Sequence, residues 1–211
     1  GGRGLRRGRA IAGIARNTSS VNFVAGRTTA NAVTTPLSAN GDFCIVILGD
    51  AHLIVDVTGW YATGRGFTAV TPARELDTRT GLGGVTRSRL GSTNGTFIPL
   101  VFHAAGRNGV PSSGVAAVSV NLTVVEPATD GYAAIYPCGT IPNTSNVNFL
   151  AGTTTAAAAV TPLSAGGDFC VIVFGDAHVV VDVNGWYAST SGFTTVSPAR
   201  LLDTRTGLGG V

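Results

Sequence analysis

Asp176, His178 and Asp182 stand in the order D-x-H-x-x-x-D, and Asp50, His52 and Asp56 repeat that order near the start of the chain. Carboxylates and an imidazole so spaced are the raw material of a metal site. On an extended strand, positions 178 and 182 fall on one face. A zinc site takes three or four converging ligands, and this stretch supplies no fourth. Its duplication also argues against catalysis, because an active site has no need to recur in every unit of an array. The expected role is a structural one, with no metal and no cofactor.

The second charged motif is Arg200 with Asp203-Thr204-Arg205, which recurs as Arg74 with Asp77-Thr78-Arg79. Such a group can recognise a carboxylate or a sugar. It can equally tie a terminal strand to a sheet, because the planar fork of Arg pairs bidentately with carboxylates. The expectation is a polar network of Asp56, Arg74, Asp77 and Arg79 in one copy, and of Asp182, Arg200, Asp203 and Arg205 in the other. Each aspartate on the Val-rich strand is expected to be buried and to pair with an Arg of its own copy. Trp60 and Trp186, each inside Gly-Trp-Tyr, can stack on sugars or cap a core. The Gly-Leu-Gly-Gly runs at 81–84 and 207–210 lack the Lys-Ser/Thr of a phosphate loop and read as hinges between units. Neither a Ser-His-Asp or Cys-His arrangement nor a pair of catalytic carboxylates stands out, so no enzyme is expected.

Three cysteines remain. Cys170 is the repeat counterpart of Cys44, whereas the counterpart of Cys138 is Ala12. An odd count leaves one thiol over, and the expectation is a Cys138–Cys170 disulfide with Cys44 free.

The elements that must position these groups are set by an internal repeat. Residues 17–85 align with 143–211 at an offset of 126, without a gap, and 49 of the 69 pairs are identical. Both copies end in GLGGV. Residues 86–211 thus read as one complete unit and 1–85 as an incomplete one, whose first sixteen residues do not match. Alternating apolar positions predict strands over 117–124 and 178–183, with further strands over 132–136, 146–150 and 169–174. Pro99 inside 96–102 suits an edge strand. The Ala-rich run 156–159 reads as strand, because its counterpart 30–35 is β-like and the two copies are expected to share a conformation. Short strands without a helix predict an all-β antiparallel sandwich, immunoglobulin-like or jelly-roll-like, of about 126 residues per repeat.

Composition narrows the function classes. Charged residues make up 12%, hydrophobic residues 44%, and the net charge is +3. The basic residues are all Arg, and four of them lie in the first nine positions, so no nucleic-acid groove is expected. The apolar runs have strand length, too short for a helical membrane span. The chain contains no Met even at position 1; a removed leader or a window cut from a longer polypeptide is expected.

SNVNFLAG, TTTAAAAVTPL, VVVDVNGWY and SPARLLDTRTG, read in that order over residues 145–207, resemble the tandem β-rich repeat of large secreted bacterial cell-surface proteins, where it often stands beside cell-wall amidase modules. The resemblance implies an extracellular module and carries no catalytic residues. The function expected is a structural cell-surface protein, the subunit of a filament, sheath or array built head to tail from identical chains. The alternative is a module that binds glycan or cell wall within a larger secreted protein.

Overall fold

The computed structural model describes residues 19–57, 59–62, 64, 66–93, 96–196, 198–200, 205–206 and 208. Among these it contains ten strands and no helix: β1 (Phe67–Asp77), β2 (Leu90–Thr93), β3 (Thr96–Phe97), β4 (Leu100–His103), β5 (Val115–Val125), β6 (Gly131–Pro137), β7 (Val147–Phe149), β8 (Thr155–Pro162), β9 (Asp168–Phe174) and β10 (Asp176–Ala188). One sheet runs β3-β2-β10-β5-β8, with β1 also paired to β10, and the other runs β4-β9-β6-β7. All pairings are antiparallel.

Period-two alternation builds the core. Val118, Val120, Leu122 and Val124 of β5 and Val179, Val181 and Val183 of β10 turn to one side. There they meet Ala133 and Ile135 of β6 and Phe169, Val171 and Val173 of β9 in a single apolar cluster. Each fully buried side chain of this kind stabilises the fold by about 1.5–3 kcal/mol. The opposite face of β5 is also buried, although it carries Ser119, Asn121 and Thr123. Residues of the leading copy lie over it. Asn121 donates to the Ser19 carbonyl, and Asn31 donates to Asn121 Oδ1 at 3.2 Å while accepting from the Ala158 amide at 2.9 Å.

Pro99 divides the run in which it sits. β3 joins the first sheet and β4 the second, because a residue without an N–H cannot continue a ladder. Residues 81–84, expected as a hinge, form a turn held by Gly81 N–H to the Asp77 carbonyl at 2.9 Å and Gly84 N–H to the Gly81 carbonyl at 3.2 Å. Gly83 has φ +88, and an added Cβ would stand 2.6 Å from the Glu75 carbonyl, so only glycine fits. Cys138 and Cys170 form a disulfide with Cα atoms 4.9 Å apart, and Cys44 is free and exposed. Closing a loop of this length contributes about 4 kcal/mol on the chain-entropy account.

The two copies do not share a conformation. Residues 155–162 form β8, whereas 29–36 carry no strand, and none of the described residues of 19–66 lies in a strand. Pairing explains the difference. β7 pairs with β6, β8 with β5, β9 with β4 and β6, and β10 with β1, β2 and β5. No two of β7–β10 pair with each other, so the residues of 19–66 that correspond to them have no ladder partners among themselves.

Candidate functional site

The charged motifs meet along the seam between β1 and β10. The register sets Arg74 opposite Asp182 and Phe67 opposite Tyr187. β1 precedes the repeat junction at Val85, yet it pairs with a strand that follows it. Arg74 Nε donates to Asp182 Oδ1 at 3.0 Å, and Asp182 is 2% exposed. Asp182 is therefore buried and paired as expected, but its partner comes from the leading copy rather than its own. Asp56, its counterpart, is exposed. The physical reason is the sheet order: the strand that flanks β10 on this side is β1, so only Arg74 lies in register.

The rest of the leading motif folds around Asp77. Arg79 grips that carboxylate twice, Nε to Oδ1 at 3.0 Å and Nη2 to Oδ2 at 2.7 Å, and its backbone amide adds a third bond at 2.9 Å. Arg74 Nη1 stands 3.8 Å away. Thr78 is fully buried; the Val179 amide donates to its hydroxyl at 3.0 Å, and His178 Nδ1 lies 3.0 Å from the same oxygen. Asp176, His178 and Asp182 thus do not converge, and among the described residues no three His, Cys, Asp or Glu side chains gather as a metal group.

The two carboxylates titrate in opposite directions. Burial pushes Asp77 up, but the hydrogen bonds and charge of Arg79, with the charge of Arg74, outweigh it and hold the group below its ordinary value. For Asp182 burial is the larger effect; Arg74 and the Ser19 backbone pull it down only in part, and it lies above its ordinary value.

At the other end of the seam, the Phe67 ring lies over Gly185, where an added Cβ would overlap it. Tyr187 is flanked by Phe67 at 5.1 Å and by Phe193, stacked at 4.5 Å, and its hydroxyl lies 3.2 Å from that of its counterpart Tyr61. Trp186 packs half-buried against the core, and Trp60 is 82% exposed. Asp203 lies outside the described residues; Arg200 and Arg205 are described, and β1–β10 pairing does not include them.

Two polar groups had no motif to announce them. Glu75, 2% exposed, accepts from Arg107 Nε at 3.3 Å and from the Asn108 side chain. His103 Nδ1 lies 2.8 Å from Asp168 Oδ1. Glu75 is replaced by Leu201 in the second copy, and His103 lies in the part of the repeat that occurs once, so duplication gave no signal for either. A shallow depression of about 530 Å³ runs along residues 68–73 with Asn108 and Gly109, and none of these is ionisable. The chemistry of the seam is that of holding a strand in place. Comparisons with family models, with curated proteins and with solved structures return no match for this chain.

Proposed function

We propose that the chain is a structural protein of the cell surface, the subunit of an extracellular filament, sheath or array assembled head to tail from identical copies. The strand-bearing body is an immunoglobulin-like or jelly-roll-like sandwich, and the chain needs no cofactor. The observation that carries this reading is the β1–β10 ladder, which locks a strand from before the repeat junction into the sheet behind it. A second observation supports assembly: residues 19–61 expose apolar side chains whose counterparts are buried, such as Phe43 at 46% against Phe169 at 0%. Apolar surface left open in this way favours association. A heterologous contact repeated between identical chains does not close, and it yields an open filament. The disulfide suits an oxidising, extracellular setting.

Sedimentation velocity and negative-stain electron microscopy of the full chain test the reading. Large species and fibres are expected, and a stable, monodisperse monomer overturns it.

A glycan- or wall-binding role has one observation in its favour. Tyr132 and Phe174 stack at 5.4 Å and 10° on the face of the second sheet turned away from the shared core, with Phe97 at 6.5 and 6.3 Å. Stacked rings on a sheet face offer an apolar platform to a sugar.

A further inference from the structure

Residues 193–203 repeat the sequence of β1: FTTVSPARLLD against FTAVTPARELD, eight of eleven positions identical. Residues 50–62 repeat the sequence of β10 in the same way, with DAHLIVDVTGWYA against DAHVVVDVNGWYA. In the strand-bearing body these two sequences form a pair, and the β1-type strand comes from upstream of the β10-type strand. The chain thus carries one further copy of each partner. The β10-type copy lies near its start, the β1-type copy near its end, and the described residues of neither lie in a strand.

The fit is specific at the residue level. Gly185 is the notch that the Phe67 ring fills, and its counterpart Gly59 has nothing within 4 Å of an added Cβ. The counterpart of Phe67 is Phe193, which is 37% exposed and stacks on Tyr187 of its own chain. Where Arg74 meets Asp182, the same register sets Arg200 against the exposed Asp56. The acceptor strand also presents Leu53, Val55 and Val57 at 54%, 52% and 80%, whose counterparts Val179, Val181 and Val183 are at most 1% exposed.

We propose that the segment from Phe193 to Arg200 of one copy adds as a strand to the segment from Asp50 to Tyr61 of the next, in the β1–β10 register. Phe193 leaves Tyr187 of its own chain for the notch at Gly59, and Arg200 trades contacts within its own chain for Asp56. Strand addition supplies the main-chain hydrogen bonds, and the notch and the ion pair set the register. The second copy is the occupant because the donor sequence is this chain's own. The proposal rests on the filament reading and specifies its contact.

The test uses full-length chains with Cys44→Ser. Gly59→Ala fills the notch at a position with open space around it, so the body should melt unchanged while assembly weakens by about tenfold or more. Val57→Cys on one chain and Ala199→Cys on another, mixed and oxidised, place thiols at the counterparts of Val183 and Ala73, which are ladder partners. A covalent heterodimer from the mixture, well above what either variant gives alone, is the expected result. If the unmodified chain assembles but Gly59→Ala assembles equally and the thiols do not join, strand donation is overturned and the filament reading stands. If the unmodified chain remains a monomer, both fall together.

Discussion

Asp77 and Asp182 lie on adjacent strands and share Arg74, yet their titrations diverge: Arg79 serves only the first, and burial weighs more heavily on the second. A carboxyl lowered in the folded chain stabilises it above the ordinary carboxylate range, and that contribution is lost as pH falls through the folded value. A carboxyl raised in the folded chain works the other way: its ionisation costs stability as pH rises from the ordinary range through the folded value. The two Asn variants should therefore differ in sign. Relative to the unmodified chain, Asp77→Asn should be destabilised near neutrality, with the gap closing in acid. Asp182→Asn should gain relative stability as pH rises. Thermal melts of the three chains between about pH 3 and pH 7 check this, and parallel curves would refute it. At this scale the disulfide was legible, because a cysteine matched by alanine singles out its partner. The partner of Asp182 was not: two Arg-bearing segments have nearly the same sequence, and only the sheet order selects between them.

Strands in this protein are decided by their neighbours more than by their own residues. The strands expected over 117–124, 132–136 and 169–174 lie close to β5, β6 and β9, because one face of each is committed to the shared core, whereas the one expected over 178–183 ends five residues short of β10. The alternation of 178–183 recurs at 53–57 and produces no strand there, although the residues are nearly those of β10. A ladder needs its flanking strand, and β10 has β5 on one side and β1 on the other. One residue type in two copies of one motif makes the point measurable. Val181→Ala, at 0% exposure, should cost about 2 kcal/mol. Val55→Ala, at 52% exposure, should fall within about 0.5 kcal/mol in dilute solution. Denaturant melts of both variants compare them directly, and equal losses would mean that the leading copy is packed like the second.

Across the whole molecule, stability should be divided as the ladders are. The strand-bearing body spans residues 67–188, and the described residues before it contribute caps and cover rather than strands. Amide hydrogen exchange should therefore be slow over 178–183 and fast over the matching stretch 52–57 at concentrations too low for assembly. Protection of both stretches in the assembled material, with only the first protected in dilute solution, is the pattern that strand addition produces. Equal protection when dilute would place the leading copy in a fold of its own. The hinge expected at 81–84 also changes meaning at this scale. It is a turn inside the body, joining β1 to β2.

The sequence by itself determined the all-β class, the repeat and its offset, the inward face of each central strand, and the cysteine pair. These follow from local periodicity and from comparing one half of the chain with the other, and neither requires knowledge of who lies beside whom. The tertiary structure decided which copy becomes ordered strands, which Arg reaches Asp182, and that β1 crosses the repeat junction. The physical reason is that hydrogen-bond ladders and buried ion pairs are made between segments far apart in the chain. When two segments carry almost the same residues, their intrinsic preferences are equal, and only the available partner breaks the tie.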